Sequence, residues 1–301
     1  MRADMQKYLI HPIERPVDDS EAKVDLIRSK DNPIMGCFYE SCYYRHDYVI
    51  CDTMYALPYV EFFCFSNTAH DNHNLGATLS MDIGGQKFVT DQNCMIQVPA
   101  FVPHGNITIT DVKSPVFSFV TGEGREHTTL PKDVWLPGYD GPLSEITLFY
   151  NGDTIKFPNP NEYQEPVMRS TANKTMKGDI SSSLRRWLKT DGWDYVGFAH
   201  MHNTPEILAY YGCDAWHPFE LGGTYTQCLN GESFIIDRPT LVYLPPYLPH
   251  CPIRVHKLER DNFWHSAGLA TGADSNHPEY ALRSLGMQDG VLEDVILEEP
   301  W

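Results

Sequence analysis

The chain has 301 residues, of which 42% are hydrophobic and 21% are charged. This composition is typical of a globular protein with a sizeable core and excludes a wholly disordered chain. Lys and Arg total 23 against 40 Asp and Glu, for a formal charge of −17. So acidic a chain is poorly suited to bind nucleic acid or an anionic membrane surface, and no apolar run approaches the roughly 18 residues of a membrane helix.

The first residues of the chain and the pattern of its cysteines both predict a cytoplasmic location. Residues 1–7 read MRADMQK, which is polar and lacks the apolar run of a secretory signal. Eight cysteines are present, and none forms a C-x-x-C pair. We therefore expect reduced thiols and a cytoplasmic protein.

The predicted elements begin with an N-terminal extension, residues 1–30, whose mixed polar pattern is consistent with one helix. Short runs of β-branched and aromatic residues, interrupted by Gly and Pro turns, then predict strands. In the first half of the chain these strands are Phe62–Phe65, Phe88–Thr90, Met95–Val98, Ile107–Thr110 and Val116–Val120. Residues 122–165 are punctuated by Gly and Pro and are interpreted as a connection.

The second half repeats this pattern after one predicted helix. Asp179–Lys189 is the helix candidate, because Asp179 or a following serine can cap it and Leu184, Trp187 and Leu188 share one face. The predicted strands are Ile207–Tyr211, Tyr225–Leu229, Ser233–Ile236, Leu241–Leu244, Ile253–His256 and Phe263–Ser266. A short tail helix is predicted around Pro278–Leu285. Many short strands with little helix predict a sandwich or barrel.

The sequence also matches itself. Residues 79–104 align with residues 225–250 without a gap, and six of the 26 positions are identical. The identical pairs are Gly85/Gly231, Phe88/Phe234, Asp91/Asp237, Pro99/Pro245, Pro103/Pro249 and His104/His250. Prolines and a histidine in register indicate a duplicated domain. The predicted division is an extension (1–30), a first domain (31–145) that is degenerate or auxiliary, a second domain (146–285) that carries the active site, and a tail (286–301).

The repeat resembles the cupin superfamily in its duplicated, bicupin form. The cupin motif G-x5-P-x-G-x2-H-x3-N keeps its proline and histidine in both copies, as Pro99/His104 and Pro245/His250. Phe101 and Tyr247 replace its second glycine. The other motif, G-x5-H-x-H-x3–4-E-x6-G, keeps its closing glycine as Gly85 and Gly231. Its H-x-H pair falls at Asp71 and His73 in the first copy and at His217 and Phe219 in the second, and threonine replaces its glutamate in both. The resemblance implies an all-β fold of two tandem cupin domains, each an antiparallel jelly-roll barrel, with a few peripheral helices and any site inside the barrel mouth.

In the second copy, His217, Glu220 and His250 form a set of two histidines and one carboxylate. Such a set binds a divalent ion and leaves coordination positions open for substrate or water. It predicts one divalent transition metal, with Fe(II) favoured and Mn, Co, Ni or Zn as alternatives. The competing interpretation is that His217 and Glu220 are surface residues and His250 is a structural barrel histidine.

Four neighbouring residues could complete this site. His265 and Tyr225 are candidates for proton transfer. Arg254 and Gln227 are candidates for substrate contact, since a guanidinium inside the barrel mouth would bind a carboxylate. Strand parity is not fixed by the sequence, so the alternative that Arg254 points to solvent stays open.

The first copy offers a second candidate metal site. Asp71 and His73 lie in the segment HDNHN, and His104 matches His250 of the second copy. The alternative is a simple turn, because Asn and Asp bond their own backbone in turns.

These features predict a metal-dependent enzyme acting on a small oxygenated molecule such as a phenol, keto acid or hydroxy acid. The most specific prediction is C–C cleavage of the Fe(II) dioxygenase type. Hydrolase, lyase, decarboxylase or isomerase chemistry would need the same metal ligands. A non-catalytic small-molecule-binding cupin and, with less support, a storage protein are the alternatives. Partners are expected to be a small molecule and further copies of the chain, associated through strand edges into a homo-oligomer.

Overall fold

The computed structural model describes residues 4–122, 124–154, 162–171, 175–195, 199, 201 and 204–268. In this part of the chain the helical content is five single 3-10 turns, at Gln6–Tyr8, Ser29–Asp31, Lys132–Val134, Leu143–Glu145 and Gly152–Thr154. The first ten strands are β1 Leu9–Ile10, β2 Lys23–Arg28, β3 Phe38–Tyr44, β4 Tyr48–Tyr55, β5 Glu61–Asn67, β6 Asn74–Ile83, β7 Gln86–Gln92, β8 Cys94–Val98, β9 His104–Thr110 and β10 Val116–Gly122. The next ten are β11 Thr147–Phe149, β12 Gln164–Ser170, β13 Ser181–Trp187, β14 Trp193–Tyr195, β15 Glu206–Gly212, β16 Gly223–Leu229, β17 Glu232–Ile236, β18 Thr240–Leu244, β19 His250–Leu258 and β20 Asn262–Gly268.

The strands form two matching pairs of antiparallel sheets. The six-stranded sheets have the orders β11-β8-β5-β10-β3-β2 and β1-β18-β15-β20-β13-β12. The four-stranded sheets have the orders β4-β9-β6-β7 and β14-β19-β16-β17. Apart from β1 and β11, each strand of the first barrel corresponds to the strand ten numbers later in the second. The predicted all-β duplication is therefore confirmed, and each of the eleven predicted strands lies inside an observed one.

The two barrels exchange their leading strands. β1 precedes the first barrel along the chain but pairs with β18, where Leu9 faces Val242. β11 precedes the second barrel but pairs with β8, where Thr147 faces Ile96. Residues 1–30 therefore contribute β1 and β2. In place of the helix predicted there, the described residues 4–30 contain only the 3-10 turn Gln6–Tyr8 and the start of the turn Ser29–Asp31.

Three apolar cores lie within the part of the chain that the structure describes. One lies inside the first barrel and includes Leu79, Ile96 and Ile107. A second lies inside the second barrel and includes Trp187 and Trp264. The third, which we call the inter-barrel core, lies where the two six-stranded sheets face each other and includes Tyr39, Phe117, Phe119, Leu184, Tyr211 and Phe263. Both six-stranded sheets are consequently buried on both faces.

This double burial explains the wrong helix prediction at Asp179–Lys189, which is strand β13. Its pattern is almost continuously buried, because Leu184 packs in the inter-barrel core and Trp187 packs inside the second barrel. A strand buried on both faces lacks the alternation that distinguishes strands from helices in sequence. The tail helix predicted at Pro278–Leu285 lies outside the described residues.

One buried cation joins the two barrels. Arg186 on β13 is fully buried, and its guanidinium donates hydrogen bonds to the carbonyls of Asn67, Thr68 and Ala69 at 2.7–3.1 Å. It also lies over the ring of Phe263 at 4.8 Å. These carbonyls follow β5 in the first barrel, so the contact fixes the loop of one barrel against a strand of the other.

Candidate functional site

Four polar residues meet at one end of the first barrel. Glu61 is the first residue of β5 and faces Val98 and Gly122, the last residues of β8 and β10. His104 is the first residue of β9 and faces the last residues of β4 and β6. We call this end the mouth of the first barrel, because the strand ends converge there. Glu61, His104, His127 and Tyr55 are called the carboxylate cluster.

Glu61 is the centre of this cluster. Its Oε2 lies 2.6 Å from Nε2 of His104 and accepts a hydrogen bond from the Tyr55 hydroxyl at 3.0 Å. Its Oε1 lies 3.4 Å from Nε2 of His127. The Glu61 side chain is only 2% exposed, whereas that of His127 is 33% exposed. His127 is therefore the most exposed member of the cluster, Tyr55 is partly exposed, and Glu61 and His104 are buried.

The hydrogen bonds fix where one proton lies. Nδ1 of His104 is 2.8 Å from the carbonyl of Val102, and because a carbonyl only accepts, Nδ1 carries a proton. The short contact from Nε2 to Glu61 then requires a second proton between the histidine and the carboxylate. The Tyr55 ring lies 4.3 Å from the His104 ring and holds it from the side. The pair thus shares one proton in a buried, oriented contact.

The electrostatics favour an ionised carboxylate. Burial alone raises the pKa of Glu61, but its contacts with His104 and His127 outweigh burial and lower that pKa to about 2. Burial alone lowers the pKa of His127, but its contacts with Glu61 and the charge of Glu40 raise it above the ordinary 6.5. At neutral pH the cluster therefore holds a negative carboxylate beside a histidine biased towards its protonated form.

A segment of irregular chain holds His127 in place. Residues 124–139, which we call the mouth segment, follow β10 and cross the mouth of the first barrel. Backbone amides of Leu130, Leu136 and Tyr139 donate to the carbonyls of Ala56, Phe101 and Gly84 at 2.8–3.1 Å. Each of those carbonyls lies in a connection at this same end of the barrel. The mouth segment thereby seats His127 over Glu61.

The second barrel repeats the inner part of this arrangement. Glu206 is the first residue of β15 and faces Leu244 and Gly268, as Glu61 faces Val98 and Gly122 in the first barrel. Its Oε2 lies 3.2 Å from Nε2 of His250. Nδ1 of His250 donates to the carbonyl of Leu248 at 2.9 Å, which matches the bond from His104 to Val102. Both barrels therefore pair a glutamate at a strand start with a buried histidine in the same register, and the glutamate is buried in the first barrel and partly exposed in the second.

The predicted metal ligands of the second barrel are not brought together. His217 and Glu220 precede β16, whereas His250 faces Leu229 at the other end of that strand. Six residues of strand separate those ends by about 20 Å. His217 bonds Asp214 at 2.8 Å, which raises the pKa of the exposed His217, and Glu220 bonds Arg260 at 2.5 Å. Only His250 of the three lies at a barrel mouth.

The candidate metal ligands of the first barrel are also separated by the length of a strand. Asp71 and His73 precede β6, whereas His104 faces Ile83 at its far end, about 30 Å away for a ten-residue strand. Asp71 accepts the backbone amides of His73 and Asn74 at 3.0 and 2.8 Å. This segment is the Asx-type turn that the alternative interpretation described.

The other predicted site residues have three different locations. Tyr225 and Gln227 lie inside the second barrel, where Tyr225 donates to Asn262 and Gln227 accepts from the Tyr210 hydroxyl at 2.7 Å. Arg254 lies on the exposed face of β19, since its neighbours Ile253 and Val255 point into the core. The alternative that Arg254 points to solvent is therefore the one observed.

His265 lies in the inter-barrel core instead of a barrel mouth. Its Nε2 is 2.8 Å from the Tyr39 hydroxyl, and its ring stacks on Phe119 with centroids 4.1 Å apart. Burial lowers its pKa to about 3, so the imidazole is neutral at physiological pH. The adjacent Trp264 faces the second barrel core, because alternate residues of β20 face opposite sides of the sheet. His265 therefore contacts the junction between the barrels.

Glu61, Tyr55, His127 and Glu206 were not among the predicted site residues. A signal existed for the two glutamates: each stands directly before an apolar run, as VEFFCF and PEILAY, and each precedes its histidine by a similar interval. A charged residue at the start of a buried strand is uncommon unless it is paired. His127 lies in irregular chain outside the repeat, where spacing carries no information.

The described residues do not fit a metal ion as they are placed. No group of three or more His, Cys, Asp or Glu among them is positioned to hold one. The carboxylate cluster contains two histidines and a carboxylate, but 2.6 Å between Glu61 and His104 is a hydrogen-bond distance. Ligand atoms that share an ion through bonds of about 2.1 Å lie roughly 3 Å or more apart. The cluster fits a shared proton.

Comparison with known proteins identifies the fold. No protein-family model matches the chain, and no curated protein matches its sequence. A mutant oxalate decarboxylase from Bacillus subtilis has a TM-score of 0.55 at 13% identity, covering 100% of this chain and 88% of its own. A 7S globulin from Momordica charantia and a vicilin from Corylus avellana each have a TM-score of 0.53 at 10% identity. They cover 88% and 87% of this chain, respectively, and 85% of their own.

These likenesses show a shared duplicated fold. Another structure of the oxalate decarboxylase, with a TM-score of 0.52 at 13% identity, concerns the Mn(II) centres of that enzyme.

Within the described residues of the present chain, no helix has both the length and the apolar character needed to cross a membrane.

Proposed function

We propose that this chain, which has the duplicated cupin fold, binds a small oxygenated molecule at the mouth of the first barrel and transfers a proton to or from it. The observation that carries the proposal is the carboxylate cluster. A buried, ionised Glu61 contacts two histidines and a tyrosine, and the exposed His127 and partly exposed Tyr55 connect it to solvent. Buried charges are costly, so a fully paired carboxylate at a strand end is typical of a functional site.

His127 is the catalytic residue in this proposal. The charge of Glu61 raises the pKa of the His127 imidazole and so favours its protonated form, which can donate a proton or a hydrogen bond to a substrate oxygen. Glu61 stabilises the cation, and His104 and Tyr55 position Glu61. A phenol, keto acid or hydroxy acid offers the required oxygen. Proton transfer of this kind supports isomerase, lyase or decarboxylase chemistry and needs no oxidant.

A metal-dependent enzyme is the second candidate, with Fe(II) dioxygenase-type cleavage as its sharpest form. The observation in its favour is the oxalate decarboxylase of the same fold whose structure concerns Mn(II) centres. For the present chain, Glu61 and His104 would have to separate to admit an ion, because their atoms lie 2.6 Å apart, whereas His127 already lies 3.4 Å from Glu61. A divalent metal therefore remains a prediction for elemental analysis to decide.

The experiment follows proton exchange, because exchange reports proton transfer without knowledge of the final product. Chelator-treated protein is incubated in D2O with a panel of keto acids, hydroxy acids and phenols, and loss of carbon-bound protons is followed by NMR. We expect exchange by wild type and a loss of at least 100-fold in His127→Gln. The matched control is His70→Gln, since His70 is also a half-exposed histidine bonded to a glutamate, at 2.6 Å from Glu165.

Two results would overturn the proposal. Equal exchange by wild type and His127→Gln would remove His127 from the reaction. Turnover that appears only after Fe(II) and oxygen are added would replace proton transfer with the metal-dependent candidate. Storage and simple binding predict no exchange in any sample.

Self-association is proposed separately, from the sheet edges. β7 and β17 each form one edge of a four-stranded sheet, and each presents an apolar residue to solvent, Val89 at 58% and Ile235 at 59% exposure. Such edges favour pairing with another copy unless they are covered. Sedimentation of wild type and a Val89→Lys, Ile235→Lys double variant tests this: we expect an oligomer that the double variant weakens.

A further inference from the structure

Two exposed aromatic residues occupy equivalent turns in the two barrels. The turns are Pro99–Val102 and Pro245–Leu248, and each is closed by a backbone hydrogen bond of 3.2 Å from its fourth residue to its first. The third residue is Phe101 in one and Tyr247 in the other, with φ of 66° and 64°. A positive φ at the third position alone defines a type II turn, in which glycine is preferred there.

Neither aromatic is explained by local stability. In the left-handed region the Cβ of an L-residue crowds the following carbonyl, so both residues destabilise their turns relative to glycine. Packing does not compensate, because Phe101 is 40% exposed and Tyr247 is 63% exposed. A strained residue whose side chain is not needed for packing indicates a functional role. Both barrels carry the same strain at the same place.

The turns lie beside the glutamate–histidine pairs. Phe101 precedes His104 by three residues, and Tyr247 precedes His250 by three. The amide of Phe101 donates to the carbonyl of Leu57 at 2.8 Å, two residues beyond Tyr55. Its carbonyl accepts from Leu136 of the mouth segment at 2.9 Å. Phe101 is thus fixed on the rim of the first barrel mouth, between two elements that carry the carboxylate cluster.

We infer that Phe101 and Tyr247 stack on a flat ring of the ligand, and that the substrate class is an aromatic ring bearing an oxygen function. The Phe101 side chain cannot form a hydrogen bond, whereas Tyr247 carries a hydroxyl group. The two side chains share only the aromatic ring. What they have in common is therefore a flat apolar face. A ring held at the rim would direct its oxygen towards the buried polar group below, an arrangement typical of small-molecule sites. For the first barrel this rests on the proposed function.

The decisive variant is Phe101→Gly, because ligand binding and stability should change in opposite directions. Glycine relieves the strained turn, so we expect an unchanged or higher melting temperature. It also removes the ring, so we expect the Kd of the probe 4-hydroxybenzoate to rise at least tenfold. Phe101→Tyr should keep the wild-type Kd. The matched control is Val134→Ala, an apolar residue 45% exposed on the mouth segment.

A second probe isolates the flatness of the ring. Wild type should bind 4-hydroxybenzoate at least tenfold more tightly than 4-hydroxycyclohexanecarboxylate, which has the same charge and a hydroxyl group but no flat face. Isothermal titration should give two 4-hydroxybenzoate sites per chain, and Phe101→Gly and Tyr247→Gly should each remove one. Equal affinity for the two probes, no binding of either, or a lower melting temperature with unchanged Kd in Phe101→Gly would each overturn the inference.

The same titrations separate this inference from the proposed function. Ring binding that depends on Phe101 in a protein whose His127→Gln variant has normal proton exchange would support the inference and reject the proposed function. Proton exchange that requires His127 but is indifferent to Phe101 and to ring flatness would reject the inference and keep the proposed function.

Discussion

Replacing Glu61 with glutamine tests the electrostatics of the carboxylate cluster. Glu61→Gln keeps the shape of the side chain and removes its charge. A pKa of about 2, against the ordinary 4.5, corresponds to about 3 kcal/mol of folding stability when the carboxylate is ionised. The Glu61 side chain is almost fully buried, so solvent screening reduces this value little.

The pH dependence follows from the direction of each shift. The pKa of Glu61 is lowered, so its contribution is complete above pH 4.5 and is lost as the pH falls towards 2. About 2 of the 3 kcal/mol should be lost by pH 3. The pKa of His127 is raised, so its contribution is complete below 6.5 and is lost as the pH rises through the raised value. The pKa shifts of Glu61 and His127 both include the attraction between these two side chains, so their free energies cannot be added.

Urea unfolding followed by tryptophan fluorescence measures this effect. The stability difference between wild type and Glu61→Gln should be largest between pH 4.5 and 6.5 and should shrink by about 2 kcal/mol between pH 5.5 and 3. Glu145→Gln is the control, because Glu145 is largely exposed and should cost under about 0.5 kcal/mol. A difference that stays constant to within about 0.5 kcal/mol from pH 5.5 to 3 would refute the reasoning.

The remaining predictions concern a hydrogen bond to the cluster and the junction between barrels. Tyr55→Phe removes a donor to a buried carboxylate and should cost about 1.5–3 kcal/mol in urea unfolding at pH 7. Tyr139→Phe, whose hydroxyl bonds an exposed carboxylate at 3.3 Å, should cost almost nothing, and equal costs would contradict this account. Arg186→Met removes the donor from the buried carbonyls of Asn67 and Thr68 and from the part-buried carbonyl of Ala69, and should cost about 3–5 kcal/mol. Its control is the exposed Arg238→Met, and similar small losses in both would show that Arg186 does not hold the barrels together.

The fold was largely predictable because its signals are local and repeated. Runs such as Met95–Val98 are rich in strand formers and are bounded by turn residues, so their type follows from short-range chemistry. The duplication gave two sequences from which to predict equivalent strands, since the segments that end at His104 and His250 align without a gap. Strand β13 was missed because both of its faces are buried, which depends on the packing of one barrel against the other.

The candidate site was only partly predictable because it depends on strand register. His104 and His250 were identified by their motif, but their glutamate partners lie on strands of the opposite sheet, and sequence spacing does not show which strand ends meet. His217 and Glu220 have suitable ligand chemistry but stand at the wrong end of β16. A residue that lies near a motif position in the sequence can therefore still lie far from the site. The direction of the strand between them decides whether the two residues meet.

Titration of His127 by NMR tests the central claim most directly, because it observes the proton at the proposed catalytic atom. Long-range proton–nitrogen spectra of protein labelled with ¹⁵N-histidine follow the ring nitrogens, and the His127→Gln spectrum identifies the resonance. The account predicts a His127 pKa above 6.5 in wild type and a return towards 6.5 in Glu61→Gln. A wild-type pKa at or below 6.5, or a value that Glu61→Gln leaves unchanged, would contradict it.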